Sequence, residues 1–298
     1  MSADSIVHKT DSGVENHTGI RIRPYYEHDG ITIYCADARH ILPTLQTGSI
    51  DFIFTDPPYG HNNNNGDLIH RWEAALGRLP CGVDTPLEPR PIANDGIEAN
   101  DLIQWAFAEW SRLLSPGCCC CCCCGGGGPD PQFARWSLWL DKAVGFKQMV
   151  VWDKGPMGRG WHYRRSYETV LVGEKPGAAC RWFDTTDRIE NIIRPIRKII
   201  PQASDHPTPK PVSLAAHFIA LHTRPGEVVL DCFAGAGSTL QAAKEGRRRA
   251  IGIEIEEQYC EMAAKRLSQE VLFGVEIPQN TKGEPDEGDN LFSTLESA

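Results

Sequence analysis

The sequence predicts a doubly wound, mostly parallel α/β sheet, and three stretches carry that prediction. Residues 49–55 form a run rich in β-branched and aromatic residues that leads into Asp56-Pro57-Pro58-Tyr59-Gly60. Val228-Val229-Leu230 leads into Asp231-Cys232-Phe233-Ala234-Gly235-Ala236-Gly237, after which Ser238 to Glu245 follows a helical pattern. Ala250-Ile251-Gly252-Ile253-Glu254 is a further strand that ends on an acid, about 20 residues downstream. Strand, turn and helix in alternation build open α/β sheets, which place their chemistry outside the carboxyl ends of the strands.

The elements follow in order. Residues 1–19 are polar and predict a disordered N-terminus. Ile31–Cys35 reads as a strand ending at Ala36-Asp37, with a short helix over 38–45 that Asp37 can N-cap. After the Asp56 turn, residues 60–96 are irregular, with a run of asparagines and many prolines. A loop of that length inside a compact domain predicts a flap or lid, with a solvated loop as the plainer reading. Apolar residues at 102, 103, 106, 107, 110, 113 and 114 have a helical period, which places Trp105 and Trp110 in the core. Ser115-Pro116-Gly117 then predicts a turn. Phe133–Ala143 is a second helix, and 146–152 with 169–172 predict an antiparallel pair of strands at the end of the sheet. Helices follow over 212–221 and 256–267. The core domain is expected to span 20–275, and residues 276–298, with six acids against one lysine, to form an acidic disordered tail.

Composition narrows the class. A chain of 298 residues can bury one large core, or one core with an insert. It has no apolar run long enough to span a bilayer and no signal peptide, so a cytoplasmic location without a membrane partner is expected. The net charge of −9 does not advertise a polyanion as partner, but residues 159–198 hold nine Lys/Arg against five Asp/Glu. Of twelve cysteines, seven are consecutive, Cys118–Cys124. Neighbours in a strand face opposite ways, so this run cannot form an orderly disulfide framework, and zinc-type spacing is missing. It reads as a buried strand of small apolar side chains in a reducing compartment, with no metal.

Two turns carry candidate chemistry. Asp56 supplies an acceptor carboxylate, Pro57 and Pro58 stiffen the turn, and Tyr59 offers a π-face. A rigid acceptor pair beside a stacking surface suits the exocyclic amine of a nucleobase; the alternative is a Pro-Pro turn that only ends a strand. In the second turn, Gly235 and Gly237 allow close approach of a ligand, and the helix opened by Ser238 and Thr239 offers free N–H groups to a carboxylate. Glu254 is placed to take ribose hydroxyls. Leu240 stands where a dinucleotide fingerprint needs a small residue, which argues against a nicotinamide cofactor.

Together, Asp-Pro-Pro-Tyr-Gly at 56–60 and the later 231–237 turn resemble the DNA amino-methyltransferases that use S-adenosyl-L-methionine. The order of the two motifs resembles their circularly permuted β group. The resemblance runs from about residue 31 to 267 and is weakest over 60–100 and 177–205. It implies a Rossmann-like methyltransferase sheet with an antiparallel terminal strand, and double-stranded DNA as substrate. It implies catalytic roles for Asp56, Pro57, Pro58 and Tyr59. Cofactor contacts are implied from Asp37 (adenine), Asp231, Phe233, Gly235, Gly237, Ser238, Thr239 and Glu254 (ribose). Lys210, within His206-Pro207-Thr208-Pro209-Lys210-Pro211, is implied at the methionine carboxylate, with a surface position at a helix start as the alternative. The loop 155–168 interleaves glycines, aromatics and arginines. Arg159, Trp161, His162, Arg164 and Arg165 there suit phosphate contacts and a wedge against a displaced base, the alternative being a surface loop with aromatics folded beneath it. Residues 177–205 are read as a short target-recognition segment. An Asp opening the catalytic motif goes mostly with adenine N6 in this family and a Ser mostly with cytosine N4, so adenine is the first expectation and cytosine the runner-up. A catalytically silent cofactor- and nucleic-acid-binding subunit is the reading from another class. A bacterial, archaeal or phage source, a homodimer and a separate restriction endonuclease are all compatible with the resemblance.

Overall fold

The computed structural model describes residues 13–15, 21–60, 92–124, 132–155, 162, 166–194, 196 and 210–269. Among these, β1 (Val14–Glu15) and β2 (Arg21–Ile22) form a short antiparallel ribbon. The remaining strands are β3 (Tyr26–His28), β4 (Ile31–Cys35), β5 (Ile50–Thr55), β6 (Leu114–Cys124), β7 (Phe146–Asp153), β8 (Tyr167–Glu174), β9 (Ile192–Ile193), β10 (Val228–Asp231) and β11 (Arg249–Glu254). They make one sheet in the order β3-β4-β11-β10-β5-β6-β8-β7-β9. From β4 through β6 every pairing is parallel, and β3 and β8 run against their neighbours. The expected architecture is therefore present.

Helices cover both faces. On one lie α1 (Ala38–Ile41, continued by a 3-10 turn over Leu42–Thr44), α2 (Ala99–Leu113) and α3 (Gln132–Ala143). On the other lie α4 (Val212–His222), α5 (Ser238–Glu245) and α6 (Glu257–Ser268). The cysteine run shows the two-sided burial most plainly. Cys119, Cys121 and Cys123 join the core beneath α4 to α6, and Cys118, Cys120, Cys122 and Cys124 join the core beneath α1 to α3. This is the period-two alternation of a central strand, and a cysteine is small enough to sit beside Phe52 and Phe54 of β5. Burial raises the thiol pKa values along the run, so these are unreactive packing groups. Trp110 is fully buried and its indole N–H reaches Cys232 Sγ at 3.2 Å. No described helix is long and apolar enough to cross a membrane.

One local expectation is corrected. Ser115-Pro116-Gly117 is not a separate turn but an irregularity inside β6. Pairing jumps from Ile50↔Leu114 to Phe52↔Cys119, and Gly117 N and Lys175 N bond across to Lys175 O and Cys118 O at 2.8 and 2.9 Å, so the ladder closes around the bulge. Arg181, within the basic stretch, pairs with Asp51 at 2.7 Å and with Glu227, at the amino ends of β5 and β10. Residues 192–193 add the edge strand β9.

Gly237 also has a packing role. It caps α5 with φ +77°, and a Cβ there would lie 2.8 Å from Ala263 Cβ on α6. It serves helix packing. Gly237→Val is expected to destabilise the fold by about 2–4 kcal/mol, through left-handed strain plus overpacking. Urea unfolding should show a lowered midpoint with an unchanged slope.

Candidate active site

The carboxyl ends of β4, β11, β10 and β5 open onto one cleft. Its walls include Asp37, Asp56, Pro57, Pro58, Tyr59, Lys210, Asp231, Phe233, Gly235, Ser238, Thr239 and Glu254. The chain reaches this arrangement because β5 and β10 are direct neighbours, with Val229↔Phe52 and Leu230↔Ile53 in register. The turns that follow them, 176 residues apart in sequence at Thr55 and Asp231, therefore leave the sheet side by side.

On the β10–β11 side, Asp231 is buried. It accepts from Thr55 Oγ1 at 2.6 Å and from Phe233 N at 3.1 Å. Burial outweighs those bonds and pushes its carboxyl up to about 6. Glu254 Oε2 accepts from Gly235 N at 2.8 Å and Oε1 from Glu256 N at 2.9 Å. Burial again dominates and pushes Glu254 up to about 7. Gly235 holds φ +50°, which aims its amide at Glu254. At the end of β4, Asp37 is the N-cap of α1, accepting from Arg39 N at 2.8 Å, and it also pairs with the Arg39 guanidinium at 2.6 Å. Burial opposes its ionisation, yet the Arg39 contacts prevail and hold it below its ordinary value. Capping and a place in the cleft wall are thus both realised at Asp37.

On the β5 side the Pro-Pro turn is buried, and Tyr59 folds back so that its hydroxyl donates to Asp56 Oδ1. Gln132 of α3 donates to the Tyr59 carbonyl at 2.5 Å, and Gly60 N donates to Asp95 at 2.7 Å, which fixes the turn from two directions. Lys210 is not a surface residue at a helix start. Its ammonium lies 2.5 Å from Asp56 Oδ2, 3.3 Å from the Tyr59 hydroxyl and 3.3 Å from Glu168 Oε2. Lys154 completes a chain of charges, 2.9 Å from Glu168 Oε1. Burial raises Asp56 despite Lys210 beside it. Burial alone would also raise Glu168, but the Lys210 and Lys154 ammoniums overcome it and hold that acid at about 2. Two anions and two cations share a space from which water is largely excluded.

Comparison with known sequences decides what this cleft belongs to. The profile of the DNA methylase family of N6 and N4 methyltransferases matches residues 50–265, most of the chain and both turns. The chain belongs to this DNA methylase family. The methylase is similar to the DNA adenine methyltransferase YhdJ of Escherichia coli (strain K12), with 26% identity over 272 residues, 79% of this chain and 82% of YhdJ. Among solved structures it resembles M1.HpyAVI bound to SAM, with 27% identity and a TM-score of 0.55, covering 80% of this chain and all of that one (100%). It also shares its fold with the cytosine-N4-specific PvuII DNA methyltransferase, with a TM-score of 0.61 at 18% identity, covering 85% of this chain and 92% of that one.

The methyl donor of this methylase is S-adenosyl-L-methionine. The cleft's residues fit it. Glu254 is a buried acid with a raised pKa at the cleft wall, a setting that favours hydroxyl donors; Phe233 adds an apolar face, and Ser238 and Thr239 begin α5 at the same wall. Of the candidate DNA contacts, Arg159, Trp161, Arg164 and Arg165 lie outside the described residues, and His162 is exposed. The expected flap over 60–96 is described only at its ends, where Ile92, Ala93, Asn94 and Asp95 also line the cleft.

Sequence reading did not assign Lys154, Glu168 or Gln132. The available signal was the loop 155–166, flanked by a lysine and a glutamate. In an antiparallel pair those two ends meet, as Lys154 N to Ser166 O at 2.8 Å shows.

Proposed function

We propose that the chain methylates the exocyclic N6 of an adenine flipped out of double-stranded DNA. The observation that carries this reading is the convergence of Asp56 and Tyr59 with Glu254 and Asp231 on one cleft. A base inside a duplex is out of reach, so it must leave the stack, at a few kcal/mol. Tyr59 then stacks on the base, and Asp56 with the Pro57 carbonyl accepts its amine N–H groups. Those bonds draw the nitrogen lone pair out of ring conjugation and aim it. When bound, S-adenosylmethionine supplies an electrophilic methyl group on a sulfonium. Asp56 needs only weak basicity, because a methylated amine readily gives up its surplus proton. Glu254 is the ribose ligand in this reading, and Asp37 lies nearest the adenine of the cofactor. Lys210, engaged by Asp56 and Glu168, belongs to the acceptor side instead of the cofactor's carboxylate.

Adenine is preferred because Asp56 opens the motif, and a similar protein of Escherichia coli is named an adenine methyltransferase. Arg159, Trp161, His162, Arg164 and Arg165 are the proposed DNA contacts, with 60–96 as a flap and 177–205 as the target-recognition segment. We also read the motif order as the permuted β arrangement. The test is transfer from labelled cofactor to unmethylated DNA, followed by nucleoside chromatography. N6-methyldeoxyadenosine is expected; N4-methyldeoxycytidine would overturn the choice of base, and no labelled nucleoside would point to a silent subunit.

Stacking gives a separate prediction. Tyr59→Ala should weaken binding to a duplex with an unpaired target base by about tenfold or more, since base–aromatic stacking contributes about 1–3 kcal/mol. Tyr59→Phe, which keeps the ring, should bind such a duplex nearly as well as the unaltered chain. Equal losses for the two variants in a fluorescence titration would contradict stacking.

A further inference from the structure

The charged end of the cleft raises a problem for the acceptor site. Both Asp56 oxygens are already engaged, Oδ1 by the Tyr59 hydroxyl and Oδ2 by Lys210 at 2.5 Å. An incoming amine must share this carboxylate with a buried ammonium. A charged donor so close holds the carboxylate more strongly than a neutral amine can.

The opposite side of Lys210 offers a way out. Glu168 stands at the start of β8, which runs against β6 in register Cys124↔Thr169, so its side chain arrives at the same edge of the sheet as Asp56. One Glu168 oxygen is fixed by Lys154 at 2.9 Å. The other is buried, and its 3.3 Å approach to Lys210 falls short of a well-directed hydrogen bond. An acceptor with spare capacity thus lies across the ammonium from Asp56. Moving Lys210 a short way from one carboxylate to the other keeps the buried ammonium paired throughout, while Asp56 exchanges it for the Tyr59 hydroxyl and the incoming amine.

We propose that Glu168, clamped by Lys154, is a positioning residue that draws Lys210 off Asp56 when the target amine docks. This rests on the amino-methyltransferase reading above and deepens it. Glu168 touches neither the base nor the cofactor; it acts through Lys210. Without its charge, Asp56 is the only carboxylate left to Lys210, and the amine has to compete for it.

The test is a double-mutant cycle on the full chain with Glu168→Gln, Lys210→Met and the pair. Single-turnover transfer to DNA is measured with binding of S-adenosylmethionine by calorimetry, and binding of a duplex with an unpaired target base is measured without cofactor. Glu168→Gln should lower transfer, and affinity for that duplex, by about tenfold or more, a coupling of ordinary size for a buried charge network. Cofactor affinity should stay within about twofold, because Glu168 contacts no cofactor-side residue. Added to Lys210→Met, the same change should have little further effect. Equal loss in both backgrounds would overturn the proposal, as would a fall in cofactor affinity. Glu168→Asp, which keeps the charge, should retain more transfer than Glu168→Gln; the reverse order would indicate packing alone and overturn it. If Glu168→Gln does not fold, Glu168→Asp in the two backgrounds carries the same comparison. An unaltered chain that transfers no methyl group would remove the underlying reading and this proposal together, whereas an active chain with additive losses would remove this proposal alone.

Discussion

Asp56→Ala is expected to reduce methyl transfer about 10³-fold, the scale seen when one preorganised polar group is removed from a reacting centre. Affinity for S-adenosylmethionine should change little. The reason lies in the division of the cleft. Asp56 bonds to Tyr59 and Lys210, both on the β5 side, while the proposed ribose ligand Glu254 is tied to Gly235 and Glu256 on the other. Removing Asp56 leaves Lys210 paired with Glu168, so the buried cation keeps a counter-charge and the fold survives. Single-turnover transfer and calorimetric titration on the same preparation check this. Parallel loss of both quantities would mean that the two sides of the cleft are not separate in function.

Glu254→Ala should do the converse and weaken cofactor binding about 100-fold, the loss of two hydroxyl bonds to a charged acceptor at about 1.5–3 kcal/mol each, offset in part by water. Its titration sharpens the test. Burial lifts Glu254 from an ordinary 4.5 to about 7 in the unliganded chain. Ribose hydroxyls donate to the ionised form, so binding lowers that pKa again and releases a proton below it. Affinity should therefore rise with pH through about 7, and calorimetry in buffers of different ionisation enthalpy should register the released proton. Glu254→Gln should abolish that proton release. The sign for stability is the opposite. With its pKa raised in the folded state, Glu254 contributes stability that is present at or below about 4.5 and is lost as the pH climbs through about 7. Asp231, lifted from 3.8 to about 6, acts in the same direction. The unliganded fold should lose stability toward neutral pH while its affinity for the cofactor grows.

Much of this was legible in the residues themselves. The alternation of seven small apolar side chains announces a strand buried on both faces, and β6 divides Cys118–Cys124 between the two cores. The bounds of α5 follow from Gly237 before it and Gly246 after it. Asp37 is a helix cap because an acid after a strand and before Ala-Arg-His-Ile has an amide to satisfy. What stayed hidden depends on strand direction and on which end of the sheet a charge occupies. Arg181 looks like any other arginine of a basic tract, yet a register that sets it beside Asp51 and Glu227 makes it a structural clamp at the far end of the sheet. Lys154 and Glu168 belong to the active end only because β7 and β8 pair antiparallel, with Trp152↔Glu168 in register. The packing role of Gly237 likewise shows only in the fold, where an added Cβ would lie 2.8 Å from Ala263 Cβ.

The central claim is that the turns after β5 and β10 work on one methyl group. A crystal structure of the complex with S-adenosylmethionine measures this directly. The account predicts ribose hydroxyls on Glu254 and the sulfonium methyl turned toward Asp56 and Pro57. A cofactor bound outside this cleft, or bound within it with its methyl directed away from Pro57, would contradict it.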